Sequence, residues 1–118
     1  MVTATHADIL KDIIRRYAQH KPGHGKIDAF AVFDDERQHY CLVDAGWNLG
    51  ARVHSLIFFA RIVDGKIRLE WDGLHYGITD ELIEAGVPKE DIVHAWMEPC
   101  PPEAQKPRQR PEATRVTH

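Results

Sequence analysis

The residues best suited to specific recognition lie between positions 37 and 54. They are polar and aromatic side chains that helix or strand formation alone does not require: Arg37, His39, Tyr40, Gly46, Trp47, Arg52 and His54. Guanidinium and indole groups bury a large area and still offer directed hydrogen-bond donors, so Arg and Trp are frequent in interfaces. This pattern favours binding over turnover for the group as a whole, whereas for Trp47 taken alone core packing is the favoured interpretation and a functional contact the alternative.

The other chemistry-bearing residues do not form a catalytic or metal-binding pattern. The chain has eight histidines, and the closest pair, His20 and His24, flanks a Pro-Gly break and cannot share a helix face. The carboxylates at 34–36 and 80–81 are explained by turn formation and helix capping. Ser55 is the only serine and lacks the glycines of a nucleophile elbow. We expect no catalytic residue, metal or cofactor; a metal-assisted hydrolase with scattered His and Asp is the remaining alternative.

Length and charge indicate one small domain with a distinct tail. The chain has 118 residues, of which 28% are charged, and no apolar run approaches the roughly 20 residues of a membrane span. Residues 1–103 carry 11 Lys or Arg and 17 Asp or Glu, so this part is not a basic nucleic-acid surface. We predict a domain over residues 1–98, a disordered, Pro-rich basic tail over 99–118, and a cytoplasmic location.

The two cysteines, Cys41 and Cys100, lie far apart and form no CxxC motif. We expect reduced, structural thiols.

The chain begins with an amphipathic pattern and then changes to strand periodicity. Apolar residues recur at helical spacing from Thr5 to His20, and Thr5 with Asp8 offers a helix N-cap. Residues 27–33 and 38–47 read as a hairpin, and residues 52–63 as a long third strand. Asp64-Gly65 then predicts a tight type I′ turn into a fourth strand.

A two-residue turn fixes the pairing of the third and fourth strands. Val63 is expected opposite Lys66, followed inward by three further pairs: Ile62 with Ile67, Ala60 with Leu69, and Phe58 with Trp71. One face then collects the apolar residues Phe58, Ala60, Ile62, Ile67, Leu69 and Trp71. We predict that the first helix covers this face.

The opposite face of the same hairpin is half apolar. It is expected to carry Val53, Ile57 and Phe59 beside the charged residues Arg61, Lys66, Arg68 and Glu70. The face is either covered by a second layer or used as a subunit or partner interface. Arg61 and Arg68 would face each other, which is unfavourable unless an acidic group, supplied for example by a partner, lies between them.

Strict alternation assigns Arg52 and His54 to the core side, together with Leu56 and Phe58. Polar groups beneath an apolar layer need partners. We therefore expect these two residues to lie beyond the helix or to pair with carboxylates such as Asp44.

A short second helix and a last strand complete the prediction. Thr79 can cap the helix, and Gly86 supplies the left-handed residue that ends it before Pro88. Residues 92–97 read as the final strand. The fold class is α+β: an N-terminal amphipathic helix packed on a mostly antiparallel sheet of about four to five strands, plus a short second helix.

The order and spacing of several motifs resemble the XisI family, the fdxN element excision controlling factor proteins. The motifs are Phe33-Asp34-Asp35-Glu36-Arg37-Gln38-His39-Tyr40, Gly46-Trp47, Arg52-Val53-His54, Asp64-Gly65-Lys66-Ile67, Asp72-Gly73 and the run from Glu81 to Val93. The resemblance covers roughly residues 5–98. It implies an XisI-like α+β domain, a non-enzymatic role in programmed DNA excision, and a nuclease-related companion protein, XisH.

We therefore expect a regulatory protein that binds a protein partner and self-associates as a dimer. The expected partner-binding residues are Arg37, His39, Tyr40, Trp47, Arg52, His54, Ile57, Phe59 and Arg61. The alternative is direct DNA binding in site-specific recombination, through Arg61, Arg68, Lys106, Arg108 and Arg110.

Overall fold

The computed structural model describes residues 5–19 and 26–105, which form two α-helices and a five-stranded sheet. The helices are α1 (His6–Ala18) and α2 (Thr79–Glu84), and the strands are β1 (Lys26–Asp34), β2 (His39–Asn48), β3 (Ala51–Val63), β4 (Lys66–Asp72) and β5 (Ile92–His94). The strands follow chain order across the sheet, antiparallel except for the parallel β4–β5 pair. The predicted fold class is confirmed. Among the described residues, no helix is long and apolar enough to cross a membrane.

Helix α1 begins with the cap that the sequence predicts. The Thr5 hydroxyl accepts from the Asp8 amide at 3.1 Å, and the Asp8 carboxylate accepts from the Thr5 amide at 3.2 Å. This reciprocal box satisfies two otherwise free amides at the helix start. It orients the helix so that its apolar stripe, Leu10, Ile13 and Ile14, is buried.

The core lies between α1 and one face of the sheet, with α2 and the following loop closing one end. Its fully buried members include Leu10, Phe58, Ala60, Ile67, Leu69, Ile78 and Leu82. The apolar residues of the β3–β4 hairpin share this core with the α1 stripe, but the α1 backbone approaches β1 and β2 most closely, so the helix is centred on the first hairpin and not on the predicted one. The Asp64-Gly65 turn is confirmed, since both residues have positive φ, 53° and 79°.

A bulge in β3 reverses the predicted facing of its first half. Leu42 lies opposite Phe58, but the next residue of β2, Val43, lies opposite Leu56, so Ile57 is the extra residue. The Ile57 carbonyl instead accepts from the Gly73 amide at 2.7 Å. Gly73 has no side chain to block this contact; a Cβ there would lie 2.9 Å from the same carbonyl oxygen.

The bulge corrects three predictions made from strict alternation. Arg52 and His54 do not share the side of Phe58; they lie on the opposite face, opposite Trp47 and Ala45. Val53 lies opposite Gly46 on the α1 side, not on the outer side. Ile57 packs against the core and is not aligned with Phe59.

A second bulge, in β4, displaces Trp71 from the predicted core. Ala60 lies opposite Leu69 as predicted, but Phe59, not Phe58, lies opposite Trp71, which leaves Glu70 as the extra residue. The Trp71 side chain is 54% exposed. Its assignment to the core was wrong because the extra residue moves it to the other face of the sheet.

The C-terminal part differs from prediction at two points. The last strand stops at His94, and Ala95–Met97 forms a 3-10 turn. Thr79 does not cap α2, because its hydroxyl lies 2.9 Å from His94 Nε2. The Asp72 carboxylate accepts instead from the amide of Ile78, at 2.9 Å, just before the helix.

The helix end is as predicted. Gly86 has φ 112°, and the Val87 amide donates to the Leu82 carbonyl at 3.0 Å. In the tail, Pro102–Ala104 forms a 3-10 turn within the stretch predicted to be disordered. The rest of that stretch, 106–118, lies outside the described residues.

Candidate functional site

The candidate site is the face of the sheet opposite α1, which we call the outer face. Cross-strand pairing arranges its side chains in rows that run across the strands. Two neighbouring rows are apolar, and we call them the apolar rows: Phe30–Val43–Leu56 and Val32–Cys41–Phe59–Trp71. They occupy the middle of the sheet.

Large apolar side chains in these rows are substantially exposed. The exposed fractions are 49% for Phe30, 50% for Val32, 45% for Leu56 and 54% for Trp71. When one face of an antiparallel sheet packs on the core, the residues that point to the solvent face are normally polar. No described segment buries these four side chains, so the second layer considered from the sequence is not formed by residues 5–19 or 26–105.

One polar row borders the apolar rows near the β1–β2 and β3–β4 turns. It contains Asp34, His39, Arg61 and Arg68. His39 packs edge-on against Phe59, with ring centroids 5.9 Å apart. The aromatic surface therefore continues into the polar row.

The two arginines of this row are bridged within the chain. Glu70 accepts from Arg61 Nη2 at 2.8 Å and from Arg68 Nε at 3.0 Å. Arg68 also donates to both carboxylate oxygens of Glu98, at 2.7 and 2.6 Å, and this pair holds the pKa of Glu98 below its usual range. The acidic group that the sequence requires between the two arginines is therefore supplied within the chain, by the bulged residue of β4.

The opposite border of the apolar rows is also polar. The next rows are Asp28–Ala45–His54 and Lys26–Trp47–Arg52. The Arg52 guanidinium lies over the Trp47 ring, 5.3 Å from its centroid, and Trp47 is 53% exposed. This cation–π contact is favourable and holds the Trp47 ring beside Arg52 on the outer face. The prediction that Trp47 packs in the core is wrong, because its side chain lies half exposed on the outer face.

Gly46 makes this end of the sheet possible. A Cβ on Gly46 would lie 2.0 Å from the Lys26 carbonyl oxygen and 2.7 Å from the Ile27 Cα. The β1 backbone therefore passes closer to β2 than any side chain allows. This approach positions Lys26 beside Trp47 on the outer face.

Six of the nine predicted partner-binding residues lie together on the outer face: His39, Trp47, Arg52, His54, Phe59 and Arg61. Arg37 lies in the β1–β2 turn, where its guanidinium donates to Asp34 at 3.2 Å. Ile57, the bulge residue, packs against the core. Tyr40 is only 1% exposed and belongs to the core.

Tyr40 has a structural role that explains its polar group. Its hydroxyl donates to the Asp35 carboxylate at 3.0 Å, and Lys11 of α1 donates to the same oxygen at 3.0 Å. Burial and this hydrogen bond raise the pKa of Tyr40 to about 12. Lys11 and Tyr40 hold the pKa of Asp35 below its usual range. The group connects the helix, the turn and the sheet.

Sequence reasoning missed four exposed apolar residues of the outer face. The exposure of Phe30 and Val32 could have been predicted, since alternation along β1 places their side chains on the other face of the sheet from those of Ala29, Ala31 and Phe33. The exposure of Leu56 and Trp71 could not, because their positions depend on the two bulges.

The expected pairing of Arg52 or His54 with Asp44 is not formed. Asp44 and His54 line the same cavity of about 190 Å³, with Val53 and Ser55, without forming a hydrogen bond or ion pair to each other. Burial raises the pKa of the Asp44 carboxyl.

The structure does not bring together the residues expected for DNA binding or for a metal-assisted hydrolase within the described part of the chain. Arg61 and Arg68 of the DNA-binding alternative are paired with Glu70 and Glu98, and Lys106, Arg108 and Arg110 lie outside the described residues. Residues 5–19 and 26–105 contain no group of three or more His, Cys, Asp or Glu side chains that could hold a metal ion. Cys41 and Cys100 are free thiols.

Comparison with known proteins places these features in context. A family model described as XisI protein matches residues 2–105. A solved XisI-like protein from Anabaena variabilis is 28% identical, with a TM-score of 0.70 over 80% of this chain and 86% of that chain. A second, the fdxN element excision controlling factor XisI from the same organism, is 26% identical, with a TM-score of 0.63 over 80% and 91% of the two chains. No curated protein sequence matches significantly.

Proposed function

Because the chain belongs to the XisI protein family, we propose that it is a non-enzymatic regulatory protein that binds a protein partner through its outer face. Its role is in the control of DNA element excision or of a nuclease. The excision role is supported by the similar Anabaena protein, which is described as an fdxN element excision controlling factor. In this role DNA is reached through the partner.

The single observation that carries the binding proposal is the arrangement of rows on the outer face. Two exposed apolar rows lie between polar rows that carry both signs of charge. Protein interfaces have the same anatomy, an apolar centre enriched in aromatic residues with a polar rim. Large contiguous apolar patches on a soluble domain usually mark an interaction site.

The chemistry of the face favours a protein over DNA as the ligand. Arg61 and Arg68 have their charges matched by Glu70 and Glu98, so they are poor phosphate ligands. The apolar rows have nothing to offer a phosphate backbone. Phe30, Leu56 and Trp71 instead suit an apolar protein surface, and we propose the nuclease-related companion, XisH, as that protein.

The test is complex formation between the full chain and the companion, measured by size-exclusion chromatography with light scattering. We expect one peak that contains both proteins, with a mass above that of either protein alone. Leu56→Lys, in the middle of the apolar rows, is expected to abolish the complex, because a charge would be buried without a partner. Ile83→Lys on α2 is the matched control, since Ile83 is 39% exposed and Leu56 is 45% exposed.

Two results would contradict the proposal. One is the absence of a complex between the unmodified proteins. The other is a complex that Leu56→Lys leaves intact, which would place the contact elsewhere on the molecule. Circular dichroism and thermal unfolding of both variants verify that each remains folded.

A further inference from the structure

Strand β1 leaves a long sheet edge open in the described part of the chain. It has nine residues and pairs with β2 on one side only. Its central residues, 29–33, carry no charge, proline or bulge. Proteins normally protect such an edge, because its unpaired amides and carbonyls bind another strand. The other edge, β5, is protected by its length of three residues and by the 3-10 turn that follows.

We propose that β1 pairs antiparallel with β1 of a second copy of this chain, about a two-fold axis at Phe30. The two five-stranded sheets then form one continuous sheet. Phe30 and Val32 also belong to the apolar rows, but this contact is made by the open backbone edge of β1, so the inference does not depend on the proposed function.

The geometry of a two-fold edge contact allows few registers. An antiparallel contact between equivalent strands places the axis perpendicular to the sheet, so paired residues must lie on the same face. Axes at Ala29, Phe30 and Ala31 give the registers with the greatest overlap. The charges of β1 distinguish between them.

The Phe30 register is the one in which the strand is complementary to itself. Lys26 lies opposite Asp34 of the second copy, so opposite charges meet at both ends. On the α1 side, Ile27 meets Phe33 of the second copy and Ala29 meets Ala31. On the outer face, the two Phe30 rings meet at the axis, an aromatic cross-strand pair, and Asp28 lies opposite Val32 of the second copy.

The neighbouring registers lose this complementarity. An axis at Ala31 places Asp28 opposite Asp34 of the second copy, a direct contact of like charges. An axis at Ala29 places Lys26 opposite Val32, so the pair between Lys26 and Asp34 is lost and Asp34 has no partner strand. The charge pattern of β1 therefore selects the Phe30 register.

The first test is the mass of the full chain by light scattering. We expect about 27 kDa, twice the 13.5 kDa of one chain. Phe30→Lys places two ammonium groups at the axis and is expected to give monomers. Phe30 is 49% exposed, so the substitution leaves the core intact. Leu56→Lys, on the same face but on a central strand, is the control and is expected to remain dimeric.

A second measurement tests the register without depending on a loss of association. In a Cys41→Ser/Cys100→Ser background, which removes the thiol opposite Val32, Phe30→Cys is expected to form a disulfide-linked dimer on oxidation, because the two residues meet at the axis. Val32→Cys is expected to remain unlinked. In this register, position 32 of one chain lies four residues along the strand from position 32 of the other chain. This separation is about 13 Å, which is too far for a disulfide.

Several results would overturn the inference. They are a monomeric native chain at its highest soluble concentration, dimers that persist in Phe30→Lys, and cross-linking of Val32→Cys as efficient as that of Phe30→Cys. Loss of the dimer in Leu56→Lys would show face-to-face association. A native chain that is monomeric by itself and still binds the companion would contradict this inference while leaving the proposed function intact.

Discussion

Arg61 and Arg68 lie directly opposite each other on β3 and β4, and the carboxylate of Glu70 accepts hydrogen bonds from both. Glu70 reaches them because it is the extra residue of the β4 bulge. The same bulge moves Trp71 onto the outer face opposite Phe59. The inserted residue, Glu70, therefore balances the charges of the two arginines, and its insertion also adds the Trp71 ring to the apolar rows.

Removing the charge of Glu70 tests this arrangement. Glu70→Gln leaves two guanidinium groups opposite each other with only a neutral amide between them. We expect a loss of about 1 kcal/mol in the free energy of unfolding, since the three side chains are partly exposed. The loss is expected to shrink in high salt, which screens the repulsion.

Urea unfolding at low and high salt measures this effect. Glu36→Gln, in the exposed β1–β2 turn, is the control and is expected to change stability by less than about 0.5 kcal/mol. Equal stability of Glu70→Gln and the native chain at low salt would show that Glu70 does not hold the arginines.

Two tyrosines predict a loss of stability at alkaline pH. The hydrogen bond to Glu81 raises the pKa of Tyr17 to about 12, and burial with the bond to Asp35 raises the pKa of Tyr40 to about 12. The folded state keeps both phenol protons above pH 10, where the unfolded state releases them. Their stabilisation is complete below pH 10 and is lost as the pH rises towards 12.

The double variant Tyr17→Phe/Tyr40→Phe checks this prediction. It is expected to be less stable than the native chain at pH 8, but with a flatter decline in unfolding free energy from pH 9 to 11.5. Tyr76→Phe is the control, because Tyr76 is 92% exposed. An unchanged alkaline decline in the double variant would assign the titration to other groups.

Gly46 predicts a severe effect of one methyl group. Gly46→Ala is expected to lower the free energy of unfolding by at least about 3 kcal/mol, because its Cβ would overlap the Lys26 carbonyl at 2.0 Å. Gly65→Ala is the control: φ there is 79°, but nothing lies within 4 Å of the added Cβ. Its expected cost is about 1 kcal/mol. Similar thermal stability of the two variants would contradict the close approach of β1 to β2.

The sequence predicts the elements and the pairing near the tight turns, because these depend on local chemistry. Thr5 and Asp8 define the start of α1, and Asp64-Gly65 fixes the register from Val63 to Ala60. The apolar stripe of α1 and the alternation of the β3–β4 hairpin then identify most of the core. The motif order also identifies the family, as the family model confirms.

The composition of the outer face was not predictable in full, because each bulge reverses every side chain beyond it. The β3 bulge depends on a hydrogen bond between Ile57 and Gly73, sixteen residues apart in the chain. Single-sequence alternation contains no sign of such a contact. The β3 bulge explains why alternation assigns Arg52 and His54 to the core side, and the β4 bulge explains the same error for Trp71. Phe59 and Arg61 lie between the β3 bulge and the turn, so alternation predicts their face correctly.

The tryptophans test the central claim, docking of a protein partner on the outer face, most directly. Trp47 and Trp71 both lie on that face and are 53% and 54% exposed; Trp96→Phe removes the third tryptophan of the chain. With a tryptophan-free companion in excess, we predict that the emission of this variant shifts to shorter wavelength and that acrylamide quenches it less. If light scattering detects the complex but the tryptophan emission and its quenching by acrylamide stay unchanged, the claim is contradicted.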